Sequence, residues 1–337
     1  MRSLEISEYL ISFLPSFLQV PIRRFFGAKI GKNSKIRFGT ILLSDKIVIG
    51  ENSQIGPFSL IHSKKIIIGN HCNIKPFCIL NANIINFQNY VHIAPLAFII
   101  GPLIKGADLF IGNHSRVFPF CWLEPGEGIV IGNHVGIGGH TLIFTHGVWP
   151  NYILGGPVSF GPVKIDDNVW LPWRVFVMPN VTIGQNSIIA ANSTVTKSIP
   201  ENCLAGGSPA KVLKEKFILE PSIKEKLARA NIVLNEFGLF QKRVDDSFDF
   251  RKKQNSISFN DRTFSTDYSQ KLIEGDLLAF VDSSLLSNEK KIELSITGVN
   301  VVDLNTNIIY INKNNGDIQN FISFVRRYGI RLSIIED

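Results

Sequence analysis

The sequence predicts a mainly β protein whose larger part is a parallel β-helix of about eight coils. A unit of the form Ile-Gly-x-Asn or Ile-Gly-x-His recurs along the chain, and successive copies are 18 to 20 residues apart except for one interval of 24 and one of 34. The copies begin at Ile30, Ile49, Ile68, Ile111, Ile131 and Ile183, with related copies at Phe87 and Ile165. Regular intervals divide into three hexads, each opened by an aliphatic residue, as in residues 183–200. Three hexads per interval give three short strands per coil around a narrow apolar core.

Residues 1–26 precede the first repeat, and we expect them to form a helical cap, because repeat arrays need a cap at their open end. Their most apolar run, residues 10–22, is interrupted by Pro15, Gln19 and Pro21, so it falls short of the ~18 apolar residues of a membrane-spanning helix. Arg23 and Arg24 follow this run. Residues 6–26 therefore also suit a peripheral contact with the inner face of a membrane, and both interpretations stay open.

The β-helix is expected over residues 27–216, with two places where the period is broken. The 24-residue interval carries about five extra residues near 101–106, and the 34-residue interval about sixteen around 147–162. A loop that leaves a rigid scaffold often carries function. The longer insertion is rich in Gly, Pro and aromatic residues and is not expected to be helical.

Residues 217–337 lack the hexads and are expected to form a small α+β domain of unknown role. Apolar spacing predicts a helix at 221–235, polar irregular structure at 241–275, and strands at 277–282, 292–301, 308–312 and 330–335. A second helix is expected at 317–328. No motif in this part points to chemistry.

The composition is that of a folded chain of about two domains. Apolar residues make up 45% and charged residues 19% of the 337, which excludes a disordered chain. Four cysteines are too few for a disulfide scaffold and form no C-x-x-C pair, which favours a reducing cytoplasm. The formal charge of +7 and the pI near 9.2 suit a phosphorylated cofactor, an anionic membrane surface or nucleic acid. Of these we expect no nucleic-acid partner.

The histidines can be sorted by their place in the repeats. His71, His114, His134 and His140 take the fourth place of a hexad, outside the apolar core, where a solvated corner is the simplest interpretation. His146 instead begins the longer insertion, directly after a coil. An ionisable group at such a junction is a candidate general base.

Several stretches together resemble the hexapeptide-repeat acyltransferases, over about residues 28–216. They are IDDNVWLP at 165–172, MPNVTIG at 178–184, AANSTVTK at 190–197 and AGGSPAKVLK at 205–214. The chain is most similar to sugar or polysaccharide O-acetyltransferases and to xenobiotic acetyltransferases. The resemblance implies a left-handed β-helix, a homotrimer, and acetyl-CoA in a groove between neighbouring subunits. It also implies a histidine that deprotonates the acceptor hydroxyl, and His146 stands where that histidine belongs.

A neutral imidazole needs its other nitrogen held. Glu124 and Glu127 are the candidates, since one 20-residue coil separates them from positions 144 and 147. A solvated turn explains the two glutamates equally well, and the choice between them stays open.

The resemblance also implies a set of residues for the cofactor. Thr196, Lys197 and Lys211 match positions that contact coenzyme A, with the lysines suited to its phosphates and Lys214 adding to them. Ala191 matches a position whose backbone meets the pantetheine arm, and Trp170 lies in the groove. Trp173 replaces a small residue that normally borders the thioester, which leaves the identity of the acyl group open.

All four tryptophans fall between residues 122 and 173, in the coils around the longer insertion. Indole faces pack against the apolar faces of sugar rings, so Trp122, Trp149 and Tyr152 are candidates for binding a carbohydrate acceptor. Packing between subunits is the alternative.

These observations predict an acetyl-CoA-dependent O-acetyltransferase acting on a sugar hydroxyl in surface polysaccharide biosynthesis, such as O-antigen or capsule, without a metal. N-acetylation of an amino sugar or modification of an antibiotic is the nearest alternative. A zinc enzyme of the γ-carbonic anhydrase kind would need a spaced histidine pair and a third ligand, and we find no matching set. A catalytically inactive structural trimer is a third class, and the presence of His146 and the lysines argues against it.

Overall fold

The computed structural model describes residues 2–148, 150–219, 221–244, 250–252, 256–259, 262–265, 276–281, 300–303, 308–311, 316–328 and 330–336. Contacts within the chain divide it into two units, Met1–Leu219 and Glu220–Asp337.

The first unit is a parallel β-helix with three faces, as the repeats predict. The first face consists, in order, of Lys29–Ile30, Lys46–Ile49, Lys65–Ile68, Ile84–Phe87, Asp108–Ile111, Ile129–Ile131, Val163–Ile165 and Thr182–Ile183. The second consists of Lys35–Ile36, Gln54–Ile55, Asn73–Ile74, His92–Ile93, Arg116–Val117, Gly136–Ile137, Trp170–Leu171, Ile188–Ile189 and Leu204–Gly207, closed by the antiparallel strand Ala210–Lys214. The third consists of Ile41–Leu43, Leu60–His62, Ile79–Asn81, Phe98–Ile100, Trp122–Glu124, Leu142–Phe144, Phe176–Val177 and Thr194–Val195.

The core is a column of aliphatic side chains, one from each strand, stacked in register. Ile49 pairs with Ile68, and Ile68 with Phe87, and all three are buried. The small residue four places later in a hexad is a hydrogen-bonding link between coils. Ser53 shows this, since its hydroxyl donates to the Gly69 carbonyl (2.7 Å) and accepts from the Cys72 N–H (3.0 Å). The hexad thus supplies an apolar side chain to the core and a small polar side chain that links neighbouring coils.

Two corners of most coils hold a residue with left-handed backbone, and at one of these corners the residue is aromatic in four consecutive coils. The rings of His71, Tyr90, His114 and His134 stack with centroid separations of 4.8, 4.5 and 5.0 Å and interplanar angles of at most 6°. The expectation of a solvated corner is wrong for His114, which is buried. The coil period puts these rings in register, so each one covers its neighbour.

Two helices precede the first coil, α1 at Arg2–Ser12 and α2 at Ser16–Phe25. Val20 of α2 belongs to the apolar core of the β-helix. The helices cover the end of the coil stack, and their polar contacts with it are considered below.

The longer insertion is an antiparallel hairpin in which His146–Val148 pairs with Val158–Phe160. Between these strands Tyr152–Leu154 forms a single 3₁₀ turn, and the Asn151 side chain accepts a hydrogen bond from the Ile153 N–H (2.9 Å). Trp149 lies outside the described residues.

The second unit contains α3 at Ile223–Val244, α4 at Gly316–Val325 and a 3₁₀ turn at Arg326–Tyr328. Its described strands form one sheet in chain order: Phe250–Lys252, Ser256–Phe259, Arg262–Ser265, Asp276–Val281, Asn300–Asp303, Ile308–Ile311 and Ser333–Glu336. Phe237 of α3 packs on Phe321 and Phe324 of α4, with ring centroids 5.3 Å apart in both pairs. The expectation of irregular structure at 241–275 is wrong where α3 extends to Val244 and three short strands follow. These strands are only three or four residues long and mostly polar, so no apolar run indicates them in the sequence.

Among the residues that the structure describes, no helix combines the length and the apolarity that crossing a bilayer requires.

Candidate active site

His146 is presented by the edge of the third face, at the point where the hairpin leaves the coil. Phe144 ends the strand Leu142–Phe144 and is the register partner of Glu124, which ends the strand of the preceding coil. Because the two strands are parallel and in register, the residues that follow Phe144 rise beside Glu124. The regular coil therefore determines where His146 lies, although the histidine itself lies outside the repeat.

The Glu124 carboxylate holds one nitrogen of the His146 ring. His146 Nδ1 and Glu124 Oε2 are 2.7 Å apart, and the histidine side chain is 47% exposed whereas the glutamate is 13% exposed. Since a carboxylate only accepts hydrogen bonds, this contact puts the ring proton on Nδ1. Nε2 is then the basic nitrogen, and it makes no hydrogen bond to any residue in the described part of the chain.

Glu124 is itself fixed by two further donors. The Gly126 N–H donates to Oε1 (2.9 Å), and the Thr145 hydroxyl lies 2.8 Å from both Oε2 and the Glu124 carbonyl oxygen. Thr145 is fully buried, and its hydroxyl also accepts from the Glu127 N–H (3.0 Å). The carboxylate that orients the histidine is therefore positioned by a turn and a buried threonine.

Of the two glutamates that the sequence left open, Glu124 is the one in contact with His146. Glu127 is exposed, and its backbone N–H, not its carboxylate, joins the network. Thr145 was not identified from the sequence. The sequence does contain a signal for it: Thr145 is a polar residue directly after the strand Leu142–Phe144, and the strand paired with that one ends in Glu124.

The rings of Trp122, Phe144 and His146 form a continuous aromatic row on the third face. The Trp122 and Phe144 centroids are 6.5 Å apart, and those of Phe144 and His146 are 6.4 Å apart with nearly parallel planes. Trp122 is exposed, as is Tyr152 on the hairpin. Only the Phe144 ring thus separates Trp122 from His146, and Tyr152 lies on the hairpin that begins at His146.

The residues predicted to bind the cofactor fall into three groups, of which two lie at the ends of the third face. Thr196 and Lys197 follow the strand Thr194–Val195 and so lie at the same corner as His146, two strands further along, or about 10 Å by the spacing of neighbouring strands. Trp173 and Ala191 lie at the other end of the third face, where the chain enters it, and the Asn192 N–H bonds to the Trp173 carbonyl (3.1 Å).

Trp170 and the lysines of the terminal hairpin lie on the second face. Trp170 is half-buried and pairs with Gly136, and Lys211 and Lys214 are exposed on the last strand. Lys214 Nζ lies 5.4 Å from the centre of the Phe217 ring.

Two glycines make room for the indoles. A side chain on residue 136 would overlap the Trp170 ring, and one on residue 139 would overlap the Trp173 ring. Trp173 also packs obliquely against His140 at 6.0 Å. The unusual Trp173 is therefore matched by a glycine one coil earlier.

The cysteines are unsuited to act as nucleophiles. All four are buried, and burial raises the pKa of Cys72 and Cys78 to about 11 and that of Cys121 to about 12. A thiol with so high a pKa carries almost no thiolate near neutral pH. Among the described residues, no group of three or more His, Cys, Asp or Glu side chains is arranged to hold a metal ion.

Residues 162–197 match the family model described as bacterial transferase hexapeptide (six repeats). A galactoside O-acetyltransferase of Lactococcus lactis is 44% identical over 89 residues, which are 26% of this chain and 43% of that protein. A putative acetyltransferase of Schizosaccharomyces pombe is 43% identical over 89 residues, with the same coverage. The matched part spans less than half the length of these curated relatives.

Among solved structures, a polysialic acid O-acetyltransferase is 22% identical, with 62% of this chain and 98% of that chain covered and a TM-score of 0.43. A galactoside acetyltransferase solved in complex with coenzyme A is 26% identical, with 38% and 65% covered and a TM-score of 0.31. The resemblance identified from the sequence is confirmed: the β-helix contains hexapeptide repeats and is similar to acetyltransferases that contain them.

Proposed function

We propose that the chain is an acetyl-CoA-dependent O-acetyltransferase that modifies a sugar hydroxyl during the assembly of a surface polysaccharide such as O-antigen or capsule. The observation that carries the proposal is the His146–Glu124 pair at the root of the hairpin, with its 2.7 Å contact and its exposed ring. The similarity to galactoside O-acetyltransferases supports it.

The reaction needs one proton transfer and one acyl transfer. His146 Nε2 accepts the proton of the acceptor hydroxyl, and the acceptor oxygen forms a bond to the acetyl carbonyl carbon. The carbon–sulfur bond of the thioester then breaks, and the imidazolium returns its proton to the departing thiolate. Glu124 stabilises the imidazolium that forms between these steps and keeps the ring in the tautomer that the first step requires.

The donor site is proposed along the terminal coils. Lys197, Lys211 and Lys214 are exposed cations suited to the phosphates of coenzyme A, and a solved galactoside acetyltransferase contains that molecule. Ala191 and Thr196 are proposed to meet the pantetheine arm. Trp170 and Trp173 are proposed to border the thioester.

A homotrimer is part of the proposal, because two groups of the candidate residues lie at different corners of one chain. His146 follows the third face, whereas Trp173 and Ala191 precede it. The two groups would come together if the corner before the third face of a neighbouring subunit approached the corner after the third face of the first subunit. The acceptor is then proposed to bind over Trp122, Tyr152 and Trp149, at the inner face of a membrane where glycans are built on lipids.

The test is release of the coenzyme A thiol from acetyl-CoA by the purified protein, with galactosides and polysialic acid among the acceptors and mass spectrometry of the products. His146→Asn should lower kcat at least about 100-fold, the smaller effect expected of a positioned base. His71→Asn is the matched control, since His71 lies at a distant corner with a left-handed backbone that asparagine also tolerates. A His146 variant that kept more than about a tenth of the activity would refute the assignment.

The alternatives give different outcomes in the same measurements. Acetylation of an amino sugar or antibiotic would appear as a product with an acetylated nitrogen. A zinc enzyme of the γ-carbonic anhydrase kind would copurify with stoichiometric metal, and chelation would abolish its activity.

A further inference from the structure

The two N-terminal helices bury several polar residues and expose large apolar ones. In α1 and α2 the buried residues include Ser12, Gln19 and Arg23 beside the apolar Ile11 and Val20. The side chains of Phe17 and Phe25 are 74% and 86% exposed. A surface helix of a water-soluble domain normally has the opposite arrangement, with its apolar stripe towards the core.

The polar inward side is explained by what it covers. The first coil has no preceding coil, so its backbone groups need other partners. Gln19 Nε2 donates to the Arg37 carbonyl (3.3 Å), Arg23 Nη2 to the Thr40 carbonyl (3.3 Å), and the Ser16 hydroxyl accepts from the Ile36 N–H (3.1 Å).

A salt bridge completes this inward side. Arg23 Nη2 lies 2.9 Å from Glu8 Oε2, and burial raises the pKa of Glu8 and lowers that of Arg23. These contacts require polar residues facing inward, but nothing in them requires an apolar outward side.

The outward side carries seven exposed apolar residues, which we call the phenylalanine surface. It consists of Tyr9, Leu10, Phe13, Phe17, Leu18, Phe25 and Phe26, all exposed. Scattered exposed apolar residues are normal, but seven within residues 9–26 mark a surface that meets an apolar phase or a partner.

The charge of the chain is concentrated around the same end. Residues 1–80 contain 11 Lys and Arg and four Asp and Glu, an excess of +7 that equals the net charge of the whole chain. Within the first coil Lys29, Lys32 and Lys35 are exposed, as is Lys46 at the start of the second coil. The remaining 257 residues are neutral overall.

We propose that the phenylalanine surface inserts into the interface of a membrane rich in anionic phospholipids, with the lysines of the first coil beside the headgroups. Apolar side chains flanked by cations are what an interfacial helix pair needs to bind such a membrane. A second copy of the chain is a poorer occupant, because two copies meeting at this end would bring two positively charged ends together. The inference does not depend on the acyl transfer.

Cosedimentation with lipid vesicles tests the proposal. The wild-type protein should sediment with vesicles of phosphatidylcholine mixed with phosphatidylglycerol, sediment poorly with phosphatidylcholine alone, and be released by high salt. Phe17→Ser combined with Phe25→Ser should lower the partition coefficient at least about tenfold, because both side chains are largely exposed in the free protein and would be buried in lipid. Phe77→Ser combined with Phe120→Ser is the matched control, at exposed phenylalanines in later coils, and should change it less than about twofold.

A charge reversal separates the electrostatic part. Lys29→Glu combined with Lys32→Glu should weaken binding at least about 25-fold, at about fivefold for each cation near the surface. Lys224→Glu combined with Arg229→Glu makes the same change of charge on exposed residues of α3 and should have a much smaller effect. All four variants should keep wild-type transfer to an acceptor free in solution.

Three results would overturn the proposal: no sedimentation of the wild type with anionic vesicles, equal losses in the test and control pairs, or self-association in the absence of lipid that Phe17→Ser and Phe25→Ser abolish. The last would assign the surface to a second copy of the chain.

Discussion

Replacing Glu124 by glutamine tests the role of the carboxylate without changing the shape of the side chain. The variant keeps the length and branching of the residue but removes the charge 2.7 Å from His146 Nδ1. A hydrogen bond to a charged group contributes about 1.5–3 kcal/mol, and the lower end applies because the histidine is about half exposed. A loss of about 1.5 kcal/mol in the transition state corresponds to a kcat about tenfold lower. The Michaelis constant for acetyl-CoA should not change, since Glu124 acts only on the base.

The loss is larger if the new amide turns its NH₂ group towards the ring. An NH₂ group donates, so Nδ1 would have to accept and Nε2 would carry the proton, which is the wrong tautomer for a base. Tenfold is therefore the smallest expected effect.

Glu127→Gln is the matched control, because it makes the same substitution three residues away in the same turn. Its carboxylate is exposed and its backbone N–H is retained, so kcat should stay within about twofold of the wild type. Steady-state kinetics of thiol release measures all three proteins. The reasoning fails if Glu124→Gln retains wild-type kcat, or if the two variants lose the same amount.

Three further changes probe other parts of the molecule. Thr145→Val removes a buried hydroxyl and leaves the Glu127 N–H without its acceptor, so the free energy of unfolding should fall by about 1–2 kcal/mol in urea denaturation; an unchanged midpoint would contradict the network. Lys197→Ala combined with Lys211→Ala should raise the Michaelis constant for acetyl-CoA far more than that for the acceptor, and dephospho-acetyl-CoA should lose its disadvantage; equal discrimination by both proteins would remove the lysines from the phosphate site. Burial raises the pKa of Cys121 to about 12, so at pH 8 roughly one thiol in ten thousand is ionised. An aromatic disulfide reagent should therefore not modify Cys121 until the protein unfolds. Rapid labelling of Cys121 in the native state would show that it is not buried.

The β-helix could be predicted because the same pattern of apolar and small residues repeats from coil to coil. The same hexad recurs in each coil, so a single recognised copy such as residues 183–200 indicates the inward residues of the others. The position of His146 was accessible for the same reason, since it is where the repeat ends. A residue that interrupts a strict period is visible in one sequence.

The features that escaped prediction depend on contacts between coils. Thr145 occupies an unremarkable place in the chain, and only the register of Phe144 with Glu124 brings its hydroxyl to the carboxylate. The stack of His71, Tyr90, His114 and His134 is likewise hidden in the sequence, because its members are 19 to 24 residues apart and each fits the pattern of its own hexad. Reading the same corner down successive coils would have revealed an aromatic column.

The polar contacts of α1 and α2 with the first coil also prevent further coils from adding to this end of the β-helix. A stack of parallel coils has no natural end, because the last backbone edge can template another coil from any chain that carries the same strands. The Gly39 N–H bonds to the Ser12 carbonyl (2.7 Å), and Arg24 Nη2 bonds to the Ile30 carbonyl (2.7 Å), so the groups that would recruit a further coil are already occupied. The helices therefore block the addition of coils at this end, and a protein without them would expose a strand edge to which other chains can add.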